Sequence, residues 1–273
     1  MLRTVYKRFL PILLLSLLPP GIMAASASED YAGMTPEEKG LAIVREADRR
    51  DTGWKDQQVD MTMVLRNRQG DESIRIMRAR ALEVTGDGDK SYTLFDTPKD
   101  VEGTAFLSHT HALEPDDQWL YLPSLKRVKR IASANKSGPF MGSEFAYEDM
   151  SSQEVAKYTY KWLRDETLDG KEVFVIERQP AYEYSGYTRQ IAWIDKEIYQ
   201  PRKVEFYDRK NSLLKTLTFH DYRKYRGKFY RGDRMEMINH QTGKSSTLTW
   251  KNYKLSRGLT DADFDQSVLK RGW

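Results

Sequence analysis

Apolar and polar side chains alternate with a period of two along most of this chain, and that pattern leaves few folds open. Val59, Met61, Met63 and Leu65 fall on one side of a strand, with Asp60, Thr62 and Arg66 on the other. After a Gln69-Gly70-Asp71 turn, Ile74 and Ile76 continue the pattern on a second strand. Further strands are expected at about 91–95, 117–122, 125–131, 157–164, 172–179, 188–195, 202–208, 213–222, 228–239 and 245–254. Gly86-Asp87-Gly88-Asp89, Asp169-Gly170, Arg209 to Ser212, Arg226-Gly227 and Thr242-Gly243 supply the turns between them. Alternation places successive side chains on opposite faces, and one wet face per strand is the mark of an antiparallel sheet. No strand–helix–strand rhythm appears, which argues against a parallel sheet. The stretch 95–116 carries no decisive period.

One helix interrupts this rule. Thr35 is a good N-cap, Pro36 stands at the first helical position, and Glu38 is placed to complete a capping box. Leu41, Val44 and Ala47 then recur at helical spacing, which predicts a helix over about 35–50.

The N-terminus reads as an address. Arg3, Lys7 and Arg8 precede an apolar run from Phe9 to Leu18, then Pro19-Pro20-Gly21 and the small residues Ala24 to Ala27. This is the layout of a secretory signal peptide, with cleavage expected after Ala24 or Ala27. The run is short of the roughly 20 apolar residues a spanning helix needs. Residues 28–273 then form a single mature domain. The whole chain has 44 bases, 40 acids and a formal charge of +4. Residues 1–27 hold three of the bases and none of the acids, so the mature chain is close to neutral and a charge argument for nucleic acid lapses. With no Cys among 273 residues, disulfides, thiolate metal sites, a Cys nucleophile and an N-terminal lipid anchor are excluded.

Little in the sequence argues for catalysis. His109 and His111 are spaced so that both imidazoles share one side of a strand, but no third metal ligand of equal clarity stands nearby. They read better as polar positions near a turn. No nucleophile elbow, zinc-protease helix or phosphate loop is present. No metal, cofactor or enzymatic activity is expected.

The distinctive stretch is 117–150. Trp119 and Tyr121 face one way and Leu120 and Leu122 the other, so this strand should be covered on both sides. A Pro123-Ser124 turn leads to Lys126, Arg127, Lys129 and Arg130, which divide between the two faces of the next strand. They suit a solvated edge, or contact with a lipid headgroup or an acidic partner. Next come Phe140, Met141, Gly142 and Phe145, interspersed with small and acidic residues. A Met- and Gly-containing aromatic loop can repack around different ligands, and it also suits plain core packing.

Trp119-Leu120-Tyr121-Leu122-Pro123, Lys126-Arg127, Arg130, Pro139 to Ser143 and Phe145 to Asp149 together resemble the outer-membrane lipoprotein-sorting (LolA-like) superfamily. The resemblance is to its longer branch, which is associated with transporters of the RND/MMPL type. The early helix and Leu259 to Phe264 fit the same family. The resemblance implies a mainly β fold with some α: an open, half-closed antiparallel barrel of about eleven strands, LolA/LppX-like, with helices plugging its mouth. It places the family's functional arginine in the region of Arg78 and Arg80. It also implies a periplasmic carrier that holds acyl chains of a lipid or lipoprotein and moves them between membranes. An inner-membrane RND/MMPL-type transporter is the implied partner. The alternative is a non-carrying accessory subunit of such a transporter. On the carrier reading Trp119, Tyr121, Phe140, Met141 and Phe145 line or gate the cavity, and Met61, Met63, Ile74 and Ile76 form part of its wall. Lys126, Arg127, Lys129 and Arg130 contact a partner or headgroup.

Overall fold

The computed structural model describes residues 31–272. The expected signal peptide, 1–27, lies outside them. Residues 33–272 belong to one compact unit.

Thirteen strands form one antiparallel sheet. They are β1 (Asp56–Arg66), β2 (Glu72–Leu82), β3 (Lys90–Thr97), β4 (Ala105–His109), β5 (Asp117–Leu122), β6 (Arg127–Ile131), β7 (Tyr158–Leu168), β8 (Lys171–Pro180), β9 (Tyr187–Asp195), β10 (Pro201–Asp208), β11 (Leu213–Tyr225), β12 (Phe229–Asn239) and β13 (Ser245–Leu255). Helix α1 covers Pro36–Asp51, and a short α2 covers Val268–Arg271. The alternation therefore located most strands to within a few residues. The count exceeds the eleven that the resemblance implied. One of the additional strands, β4, lies in the stretch without a decisive period, where Ala105, Phe106, Leu107 and Ser108 are all buried. A strand covered on both faces has no wet side, so its alternation vanishes.

The order across the sheet is β6-β5-β4-β3-β2-β1-β13-β12-β11-β10-β9-β8-β7. The first and last strands meet at the centre, where Met61 opposes Trp250 and Met63 opposes Leu248. The two edges, β6 and β7, are consecutive in sequence. The sheet does not close, and residues 132–157 must cross its opening.

This connector is held down on the concave face. Phe140 packs edge-on to Phe106 (5.1 Å) and Tyr147 (5.5 Å) and lies 6.1 Å from Phe95. Gln118 on β5 donates to the Tyr147 carbonyl (3.0 Å) and to Ser151 (3.1 Å). On the other half of the sheet, Lys215 of β11 pairs with Asp149 (2.7 Å) and donates to the Glu144 carbonyl (2.9 Å). Glu148 accepts from Tyr182, Ser185 and the Gly186 amide. A Cβ on Gly186 would lie 2.8 Å from Ser137 Cβ, so only glycine lets the 181–186 turn come this close.

Helix α1 begins as the capping box predicts. Thr35 Oγ1 accepts from the Glu38 amide (3.3 Å), and the Thr35 amide donates to Glu38 Oε2 (2.8 Å). The helix packs on β7 through Gly40, where a Cβ would come within 2.8 Å of the Trp162 amide.

The fold is the open antiparallel barrel with helices that the resemblance implied, and the two helices lie on opposite faces of the sheet. α1 flanks the concave side. α2 covers the convex side, where Val268, Leu269 and Phe264 pack on Tyr92, Leu94, Ala105, Leu107 and Trp119. Tyr92, Leu107 and Trp119 are successive cross-strand partners and share that face. An apolar patch on the convex side needs a cover, and the chain's C-terminal segment supplies it.

Candidate functional site

Between α1, the concave face and the connector lies a cavity of about 840 Å³. Its size falls within the range of small-molecule sites. Val59, Met61, Ala79 and Ala81 contribute from the centre-left strands, Leu248, Trp250 and Met235 from the centre, and Ile176, Ala192, Val204 and Phe206 from the right. Val44 and Ala47 of α1 and Phe145 of the connector complete its apolar wall. Strand pairing explains this lining. Met61 opposes Met77 on one side and Trp250 on the other, so one register places a row of large apolar side chains on one face.

One end of the cavity, beside α1, is rich in carboxyls. Asp48, Asp51, Glu83, Asp89 and Glu154 all line it. Burial pushes the Asp89 carboxyl up to about 7, with the charges of Glu154, Glu83 and Asp51 adding to the effect. Burial likewise raises Asp48 and Glu154. Asp51 is also raised by burial, although Arg231 stands 2.5 Å away and works against the shift. Carboxyls crowded in a partly dry space favour holding protons.

A second cavity of about 640 Å³ lies on the far side of the connector, lined by Lys215, Glu144, Arg209, Lys210, Asn239 and Lys244 among others. The Lys215–Asp149 pair stands between the two, since Asp149 lines the first and Lys215 the second.

The structure separates the residues that the sequence grouped. Met61 and Phe145 line the main cavity. Met63 shares the face of Met61 but is fully buried. Ile74 and Ile76 do not join them. Ile76 opposes Thr62 and Ile74 opposes Val64, so both stand on the convex face, half exposed. The inner side of β2 here runs through Ser73, Arg75 and Met77, so the apolar pair Ile74 and Ile76 falls on the outer side. Trp119 and Tyr121 belong to the α2 patch on the convex face. Phe140 is sealed inside the aromatic cluster that anchors the connector. Met141 adopts a left-handed backbone conformation (φ 49°), and its carbonyl accepts from Arg75. Lys126, Arg127, Lys129 and Arg130 are exposed on and beside the edge strand β6, with Arg130 paired to Asp117.

Of the two arginines in the family's region, Arg78 pairs with Asp96 (2.8 Å). Arg80 stacks on Tyr92 (4.7 Å) and Phe264 (5.7 Å). The two histidines take different partners: His109 meets the Phe264 carbonyl (2.8 Å) and His111 meets Asp87 (2.8 Å). Among the described residues no cluster of His, Asp or Glu is arranged to hold a metal ion.

The right-hand cavity wall, from Ile176 to Phe206, was not singled out in the sequence. Its signal is the apolar runs Val173 to Ile176 and Ile191 to Ile194, which mark strands buried on both faces without saying which face lines a cavity. The carboxyls of α1 and the 83–89 turn were hidden for another reason. Acids at a helix end and in a turn look solvated until the connector folds over them.

Comparison with the curated proteins finds no sequence match. A family model whose description reads "Uncharacterized protein" matches residues 87–271. Among solved structures, a Vibrio parahaemolyticus domain described as an outer membrane lipoprotein-sorting protein is 56% identical, with a TM-score of 0.85. The match covers 86% of this chain and 100% of that one. A DUF1329 family protein from Desulfovibrio piger is 28% identical over 86% of this chain and 100% of its own, with a TM-score of 0.82. A LolA superfamily protein from Nitrosomonas europaea shares the fold, with a TM-score of 0.67 and 23% identity over 84% of this chain and 98% of its own. An open thirteen-stranded sheet, its helices and this extent of identity lead to one conclusion: the chain belongs to the outer-membrane lipoprotein-sorting, LolA-like superfamily.

Proposed function

We propose that the protein is a carrier that holds the acyl chains of a lipid or lipoprotein in the 840 Å³ cavity and moves them between membranes of the periplasm. The observation that carries this reading is the cavity itself: an apolar trough, walled by Met61, Trp250, Met235 and Ile176, in a fold shared with a lipoprotein-sorting domain. Burying a chain of ~14 carbons gains on the order of 10 kcal/mol at about 0.8 kcal/mol per methylene. Met side chains at the wall suit cargo of varied shape. The carboxyl end beside α1 is where a polar end of the cargo would sit. Residues 1–27, read as an export signal, support a periplasmic location for the mature chain, and an inner-membrane transporter would load or unload it. Met61 and Phe145 are the predicted contacts, and no covalent step is required.

Native mass spectrometry of freshly purified protein tests this reading, together with uptake of a fluorescent fatty acid. Ala79 lines the cavity and is incompletely buried, so Ala79→Trp fills space without crowding the core. The variant should fold normally and lose most of its bound lipid. Wild-type protein free of lipid and inert to the fatty acid would refute the carrier, as would an Ala79→Trp protein that binds like wild type.

A further inference from the structure

The hairpins divide the charged and apolar surface between the two rims of the sheet. Antiparallel pairing puts the turns after β1, β3, β5, β8, β10 and β12 on one rim. Eight large apolar side chains are exposed among the described residues. Six of them lie on or beside this rim: Ile74, Ile76, Leu125, Tyr184, Leu213 and Ile238. Leu125 is 61% exposed at the tip of the β5–β6 hairpin, and Tyr184 is 54% exposed in the 181–186 turn.

Cations surround them. Lys126 and Arg127 follow Leu125 directly and are exposed, as are Lys129 and Arg130. Arg68, Arg209, Lys210 and Lys244 stand exposed in other turns of this rim and outnumber the acids there, Asp71 and Glu183. From Gln118 to Ser143 the sequence contains no acid. Asp100 and Glu102 stand in the neighbouring 98–104 turn, where Lys99 pairs with Glu102 (2.7 Å). The opposite rim carries more acid than base. Its 83–89 and 110–116 turns hold Glu83, Asp87, Asp89, Glu114 and Asp116 and neither Lys nor Arg, while Lys196, Arg226 and Lys228 stand with Asp169 and Glu197 in its other turns. A chain near overall neutrality is thus electrically polarised.

We propose that the rim bearing Leu125, Lys126 and Arg127 docks on an anionic phospholipid bilayer, with Leu125 and Tyr184 entering the headgroup layer. Cations near an anionic surface and apolar side chains at the interface act together in this mode, and neither alone gives firm attachment. The acidic rim is repelled by the same surface, so attraction and repulsion orient the molecule in the same sense. The occupant follows from charge complementarity combined with dispersed apolar tips.

Co-sedimentation of the mature chain, residues 28–273, with phosphatidylcholine vesicles, and with the same vesicles carrying phosphatidylglycerol, tests this. Binding should require phosphatidylglycerol and weaken as salt rises. Lys126→Gln/Arg127→Gln should lower the partition coefficient about 30-fold, from the typical contribution of each cation near such a surface. Leu125→Ser should lower it about tenfold, and Glu114→Gln on the acidic rim should leave it unchanged. Unaltered thermal melting shows that each variant is folded. Equal binding to both vesicle types, no binding to either, or wild-type binding by the folded Lys126/Arg127 and Leu125 variants would overturn the proposal. These outcomes are independent of whether the cavity holds lipid.

Discussion

Replacing Lys215 by Met tests whether the connector is fastened by a buried charge pair. Lys215 is 3% exposed, and its Nζ lies 2.7 Å from Asp149 Oδ2 and 2.9 Å from the Glu144 carbonyl. Tyr187 and Phe206 rings flank the ammonium at 5.1 and 5.2 Å. Met nearly conserves the volume, so little cavity is created and the change is chiefly electrostatic. Asp149 then keeps only neutral donors, the Tyr187 hydroxyl (2.9 Å) and the Ala146 amide (2.7 Å). Stranding one member of a buried pair costs about 3–5 kcal/mol. For a domain of this size that corresponds to a fall in Tm of roughly 6–20 °C. Asp149→Asn added to Lys215→Met removes the stranded charge while retaining a side-chain oxygen for both donors, so the double variant should recover about half of the loss or more. Urea denaturation of the four proteins gives the coupling energy directly, and hydrogen exchange at 144–150 should rise most in the single Lys variant. A Lys215→Met protein within about 1 kcal/mol of wild type, or strictly additive single effects, would refute this account of how the connector is held.

Trp119→Ala should destabilise the protein by about 3–5 kcal/mol, read by denaturant titration. Uptake of a fluorescent fatty acid by the folded fraction should not change, since Trp119 packs under α2 on the convex face. The Asp89 carboxyl, raised by burial to about 7, ties stability to pH. Its folded value lies above its unfolded one, so the native state holds the proton longer. Stability is therefore full below about pH 4 and declines as pH rises through 7. Asp89→Asn keeps an acceptor for the Val84 amide and should flatten the fall in Tm between pH 5 and pH 8.

The period-two alternation was enough to place the antiparallel sheet, because each half-exposed strand needs one apolar face and one wet face. It failed where that premise fails. Residues 105–108 are buried on both sides and carry no alternation. Near the start of β2 the apolar side chains are Ile74 and Ile76 while Ser73 and Arg75 face inward, so the local pattern groups the two Ile with the inner wall although they stand outside it. The Thr35 capping box was legible in full because its hydrogen bonds join residues three apart. Trp119 looked like part of a gate because its strand is apolar on both faces. Which face meets the cavity and which meets α2 depends on residues 264–269, more than 140 positions away.

Sequence alone determined the periodicity, the turns, the helix start, the near neutrality of residues 28–273 and the absence of cysteine chemistry. Each of these is a property of neighbouring residues or of composition. Tertiary structure decided that consecutive strands β6 and β7 become opposite edges, that 132–157 spans the opening between them, and that carboxyls from α1, the 83–89 turn and the connector gather at one end of the cavity. Strand order and the pairing of distant segments follow from packing free energy summed over the whole unit, which no local pattern encodes.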